Sequence, residues 1–124
     1  MIYNFELEKQ LLAGLLKEPE RLAEISNFIS NSDFYSKQSS LHSAIFRIIR
    51  QAIDAGDNLN PSDYIKSLSL RKVPEGNILK TAKELKKYTI RREIFESSQE
   101  IAKKMKNIAP ESSYREIIEL ADNV

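Results

Sequence analysis

Cysteine is absent from the 124-residue chain. The protein therefore forms no disulfide, has no thiol nucleophile and offers no thiolate ligand to zinc. The single histidine, His42, has no pair of carboxylates near it in the sequence, so we expect no metal site. A sequence without cysteine is typical of the cytoplasm, and we expect a cytoplasmic protein.

Glycine is also scarce, with only Gly14, Gly56 and Gly76 scattered along the chain. A GxxxxGK[ST] phosphate-binding loop is missing, so we expect no nucleotide hydrolysis and no cofactor in this chain. A Ser/His/Asp arrangement around His42 would lack the strained turn that presents a nucleophile. We therefore predict no catalytic residues and interpret the chain as a binding or assembly domain.

Long apolar runs are missing as well. The longest, Leu11 to Leu16, is far shorter than the roughly 20 residues that a membrane-spanning helix requires. The N-terminus, MIYNFELE, is acidic where a signal peptide is basic. We expect no association with a membrane.

What is present is the composition of an ordinary helical domain. Hydrophobic residues make up 41% of the chain, which suffices for one core but not comfortably for two. Apolar residues recur at helical spacing, and no segment alternates with a period of two. We predict an all-α protein with a small helical bundle over residues 1–72. An antiparallel helical hairpin arm with a terminal helix follows over residues 73–124.

The bundle begins with a helix predicted over Phe5–Lys17, where leucines recur at intervals of four after a suitable N-cap, Asn4. Gly14 lies in its apolar face, where the missing side chain lets another helix approach closely. Pro19 begins a second, short helix, because proline suits the first helical turn.

A third helix is predicted over Leu41–Ala55, with Gly56 as its left-handed C-cap and with Leu41 and Ile48 in a wide apolar face. Another short helix opens at Pro61. The core of the bundle is predicted to contain Leu11, Leu15, Phe34, His42, Ile45, Phe46 and Ile49.

The segment Val73-Pro74-Glu75-Gly76 interrupts the helical pattern and is the predicted hinge. A helix from Ile78 then leads into the segment Ile90–Met105, whose apolar residues are spaced by four, seven and four and share one side. A stripe this narrow resembles a helix-pairing seam, although packing on its own domain is the alternative. We predict that a homodimer contact is formed by Ile90, Ile94, Ile101 and Met105.

Charge is unevenly distributed although the net charge is only +1. Residues 1–60 hold six Lys/Arg against eight Asp/Glu, a net charge of −2, whereas residues 78–106 hold nine against four, a net charge of +5. The basic segment is either a solvated helix face or a contact for nucleic-acid phosphates. The candidate contact residues are Lys83, Lys86, Lys87, Arg91 and Arg92.

Several segments resemble, in their order and spacing, the N-terminal domain of DnaB-type replicative DNA helicases. They are FELEKQLLAGLLKEPERLAEI, DFY at 33–35, HSAIF at 42–46 and AGDNLNPSDYIKSL at 55–68. The stretch KKYTIRREIFESSQEIAKKM resembles the hairpin helix of that family. The sequence departs from the family in a longer loop before His42, in Asn60 where aspartate is usual, and in lacking a Gly-Gly pair before Ile78.

The resemblance implies a globular bundle followed by an antiparallel helical hairpin, as a part of an ATP-dependent DNA helicase. ATP and magnesium would bind only in an ATPase domain outside this chain, and DNA would be contacted only indirectly. In such helicases the hairpins pair into dimers that form a collar above the ATPase ring, and the collar docks the primase or a helicase loader. His42 would then have a structural role, as a hydrogen-bonding residue next to the aromatic turn.

Two other interpretations stay open. The helicase-binding C-terminal domain of a DnaG-type primase has a similar fold and a similar LLxxPE opening, but the DFY turn and the AGDNLNP segment favour the helicase. A stand-alone DNA-binding adaptor would use the basic segment, and its binding would depend steeply on salt.

Overall fold

The computed structural model describes residues 1–60, 64, 77–108 and 113–122. Every regular element in these ranges is helical, so the prediction of an all-α protein is confirmed. The α-helices are α1 (Phe5–Lys17), α2 (Leu41–Ala55), α3 (Ile78–Lys106) and α4 (Tyr114–Asp122). The predicted hinge, the boundary at residues 72/73 and most of the helix opening at Pro61 lie outside the described residues.

Local signals define the bounds of α1 as predicted. Asn4 is the N-cap, and its Oδ1 accepts a hydrogen bond from the backbone N–H of Leu7 at 3.1 Å. Acidic side chains occupy the first turn and Lys17 the last, which suits the helix dipole at both ends. A 3₁₀ helix over Pro19–Glu24 follows, so the short helix predicted at Pro19 is confirmed in place but has the tighter geometry common in short pieces.

The end of α2 also follows its sequence signal. Gly56 has a φ of 72°, in the left-handed region that suits glycine at this position. The backbone N–H of Asp57 donates to the carbonyl oxygen of Ala52 at 2.8 Å and closes the cap. The prediction of a wide apolar face on α2 was wrong in one respect, because Leu41 and Ile48 are exposed at the edge of that face.

The structure divides into two compact units, Met1–Thr89 and Ile90–Val124. In the first unit, α1 packs against α2 and the first 3₁₀ helix, and α2 packs against a second 3₁₀ helix at Asn31–Asp33. The first three turns of α3 contribute Ile78, Ala82 and Leu85 to the same core. Tyr64 packs against this core as well.

In the second unit, α3 continues without interruption to Lys106, so the helix from Ile78 and the segment Ile90–Met105 form a single helix of about 43 Å. The N-cap of α4 is Ser113, whose Oγ accepts a hydrogen bond from the backbone N–H of Glu116 at 3.2 Å. None of the helices that the structure describes is both long enough and apolar enough to cross a membrane.

Gly14 lies close to Ile78 at the start of α3, as its place in the apolar face predicted. A Cβ atom added at Gly14 would lie 3.0 Å from Cγ1 of Ile78. An alanine there gains up to about 1 kcal/mol of helix propensity, which offsets a small shift of the flexible Ile78 side chain. A branched residue would overpack the contact.

We expect Gly14→Ala to lie within about 1 kcal/mol of the wild type and Gly14→Val to be destabilised by about 2 kcal/mol. Urea unfolding followed by circular dichroism at 222 nm measures both, with the alanine variant as the control for propensity. A valine variant as stable as the wild type would contradict the close approach.

Candidate functional site

A stripe of large apolar side chains lies exposed on α3 in the second unit. The relative exposures of its members range from 42% to 62%: Ile90, Ile94, Ile101 and Met105. Phe95, beside the stripe, is also exposed. Isolated exposed apolar residues are ordinary, but an aligned set along one helix is typical of an interaction surface. These are the residues predicted from their spacing to form a dimer contact.

The predicted core residues all lie inside the first unit, each with less than a tenth of its surface exposed: Leu11, Leu15, Phe34, His42, Ile45, Phe46 and Ile49. The rings of Phe34 and Phe46 pack at a centroid distance of 4.9 Å. Of the aromatic pair Phe34-Tyr35, Phe34 is therefore part of the core, whereas Tyr35 is partly exposed.

His42 is buried against a carboxylate from another helix. Its Nδ1 lies 3.0 Å from Oε1 of Glu8, which has no exposed surface. A carboxylate only accepts hydrogen bonds, so the protonated Nδ1 of His42 donates. The backbone N–H of Tyr35 donates to Oε2 of Glu8 at 3.3 Å, and Phe5 meets the imidazole edge-on. Glu8 thus connects α1, the aromatic turn and the start of α2.

A second buried carboxylate, Asp33, holds the early part of α3. Its Oδ1 accepts hydrogen bonds from Oγ1 of Thr89 at 2.6 Å and from Nζ of Lys86 at 3.2 Å. Its Oδ2 accepts from the backbone N–H of Ser30 at 2.8 Å. Asp33 is fully buried and Thr89 nearly so. The arrangement ties the second 3₁₀ helix to α3 at the last residue of the first unit.

The five candidate nucleic-acid contacts differ in their surroundings. Lys86 is engaged with Asp33, and Arg92 is buried. Lys83, Lys87 and Arg91 are exposed, and Nζ of Lys87 lies 2.9 Å from Oε1 of Glu84. The outward-facing positive charge is thus smaller than the sequence count indicates. DNA contact by these residues stays a prediction.

The family model for the DnaB-like helicase N-terminal domain matches residues 1–77. The chain belongs to this family. No curated protein and no solved structure matches the chain. The family match favours a helicase domain over the alternative of a primase domain. The matched residues include both Glu8 and His42. The exposed stripe lies beyond the matched residues.

No metal centre is evident in the described part of the DnaB-like domain, because no three His, Cys, Asp or Glu side chains come together there. The two buried carboxylates each meet donors from the protein itself. Their arrangement suits structural bridging, since a buried charge is stabilised by partners of this kind.

One exposed ion-pair cluster braces the first 3₁₀ helix. Arg21 Nε donates to Glu24 Oε2 at 2.6 Å, and Arg21 Nη1 donates to Glu18 Oε2 at 3.3 Å. The hydrogen bond from Arg21 lowers the pKa of the Glu24 carboxyl below its usual value. Because the pKa of the Glu24 carboxyl is lower in the folded than in the unfolded state, the ion pair stabilises the fold at pH values above the unfolded-state pKa. That contribution is lost as the pH falls through the folded-state pKa. Solvent screens this surface ion pair and keeps the effect small.

Sequence reasoning missed the burial of both carboxylates, although signals existed for each. Glu8 stands three, four and seven residues before Leu11, Leu12 and Leu15, which places it within the apolar face of α1. A carboxylate at such a position requires a buried partner. Asp33 stands three residues after Ser30, the spacing by which an acidic side chain caps a helical turn.

We expect His42→Phe to lose about 3 kcal/mol of stability, because Glu8 would remain buried without its side-chain partner. Glu8→Met should lose stability for the converse reason. The double variant Glu8→Met with His42→Phe should lose much less than the two single changes together, since both polar groups are replaced by apolar ones.

Urea unfolding of the wild type, the single variants Glu8→Met and His42→Phe, and the double variant closes this double-mutant cycle. Additive losses would show that the Glu8–His42 contact contributes nothing to the fold.

Proposed function

We propose that the DnaB-like domain is a non-catalytic assembly module of a replicative helicase, pairing with a second copy of itself and thereby supporting the collar of the helicase ring. The observation that carries the proposal is the exposed apolar stripe on α3. Family membership supports the helicase setting.

The free energy of burying apolar side chains favours a stripe that is covered in the functional protein. Burying an aliphatic side chain fully stabilises by about 1.5–3 kcal/mol, and each of the four residues still has roughly half of that surface to bury. A second copy offers the same stripe, and a two-fold interface requires such a self-complementary surface. Four matched residues on each side then supply an apolar centre for the contact.

The first test changes the most exposed residue of the stripe. We expect Ile94→Asp to convert a dimer into a monomer, because a charge would be buried in the apolar contact. Helicity should be retained, since Ile94 makes no contribution to the core of the first unit. Sedimentation velocity measures the mass, and circular dichroism measures the helix content.

The matched control is Gln99→Asp, an exposed position of the same helix on the side away from the stripe. It should leave the dimer intact. A dimer that survives Ile94→Asp would show that the stripe is not the contact, and a wild-type monomer at high concentration would remove the proposal itself.

We further propose that the assembled domain docks the primase or a helicase loader, as the family resemblance implies. Each cognate protein, titrated separately into the fluorescently labelled domain, should raise the anisotropy at micromolar concentration if it binds. Binding by neither protein would contradict this part of the proposal. Binding of one that is unchanged by Ile94→Asp would separate docking from pairing.

A further inference from the structure

Four basic residues lie along one face of the early part of α3. They are spaced by three, four and four residues, and each is exposed: Lys80, Lys83, Lys87 and Arg91. At 3.6 residues per turn, this spacing keeps them in one row about 17 Å long, the basic row. We propose that the basic row binds the phosphate backbone of a nucleic acid. The inference goes beyond the proposed assembly function and does not depend on it.

The packing of α3 fixes the direction in which the basic row faces. Ile78, Ala82 and Leu85 are buried in the core of the first unit, and Thr89 is buried on the same side of the helix. The basic row lies about half a turn away from these four residues. Its ammonium and guanidinium groups therefore face away from the core.

The structure also changes the set of residues that the sequence indicates for such a contact. Nζ of Lys86 donates to the buried carboxylate of Asp33, which balances its charge, and Arg92 is itself buried. Lys80 was not among the five candidates, but it is exposed and begins the basic row. The burial of α3 thus selects the cations that a phosphate can reach.

The basic row keeps an excess of positive charge. Glu84 is the only acidic residue among its members, and its Oε1 lies 2.9 Å from Nζ of Lys87. In the described part of the chain, no acidic side chain forms an ion pair with Lys80 or Lys83. Four positive charges and one negative charge give this face a net charge of +3, whereas residues 1–60 carry −2.

A nucleic-acid backbone fits this surface better than a protein partner does. One strand of a duplex carries a phosphate about every 3.4 Å, so the basic row can lie beside several phosphates at once. The row contains no large apolar side chain, whereas the centre of a protein interface is apolar and poor in charge. Tyr88 lies on another side of α3, where its hydroxyl accepts a hydrogen bond from Nδ2 of Asn4 at 3.3 Å. Without a base-stacking ring, the contact should be independent of base sequence.

Fluorescence anisotropy of a labelled oligothymidine and of a labelled duplex tests the inference, with the full chain as the titrant. Four phosphate contacts by one chain predict that the affinity for the duplex falls about 150-fold between about 50 and 200 mM salt. The affinity for the single strand should fall about 50-fold over the same range. The two arms distinguish paired from unpaired DNA as the source of the backbone. A lack of binding to both at about 50 mM salt would overturn the inference.

The double variant Lys80→Gln with Lys83→Gln removes two of the four contacts. It should weaken binding about tenfold or more at low salt and lower the slope of log affinity against log salt by about two. The matched control, Lys17→Gln with Arg47→Gln, removes the same charge from exposed positions of α1 and α2 and should leave both quantities unchanged. Circular dichroism checks that all variants are folded. Equal weakening by the two double variants would show a response to net charge alone and overturn the assignment to α3.

Unlabelled polyglutamate is the competitor that separates a nucleic acid from an acidic protein. We expect it to compete about tenfold more weakly than unlabelled DNA, because DNA also releases its condensed counterions on binding. Equal competition would overturn the nucleic-acid assignment in favour of an acidic protein. Sedimentation velocity of the wild type tests the pairing of two copies separately, since a monomer that binds DNA would remove the proposed function and retain this inference.

Discussion

Two fully buried carboxylates in the first unit require hydrogen-bond partners, and the packing of the unit depends on this requirement. Glu8 and Asp33 cannot stay inside an apolar core alone, because an unpaired buried charge costs several kcal/mol. Each therefore joins segments that are distant in the chain. Glu8 holds the aromatic turn and the start of α2, and Asp33 holds α3 through Lys86 and Thr89. Burial of the apolar residues around them supplies the favourable free energy of folding, while the carboxylates specify which segments meet.

The second unit follows the opposite rule. Its large apolar side chains are aligned but exposed, and its described polar contacts include one within α3 and one at the cap of α4. A short helix such as α4 is marginally stable by itself in water, and a row of exposed isoleucines favours association. The contrast is that between a domain that completes its own core and an arm that leaves an apolar surface to be covered.

Both units belong to a chain of the DnaB-like helicase N-terminal domain family. The chain lacks a phosphate-binding loop, and both buried carboxylates are engaged with donors of the protein itself.

The sequence by itself determined the features that depend on a few neighbouring residues. The bounds and cap of α1, the left-handed Gly56 and the alignment of the stripe are all set within one or two helical turns. Only the tertiary structure decided the pairing of Glu8 with His42, 34 residues apart, and of Asp33 with Lys86, 53 residues apart. It also decided that Leu41 and Ile48 stay exposed although they continue an apolar face. Helical periodicity shows which residues share a side, but the partner of that side is set by long-range packing, which no local pattern encodes.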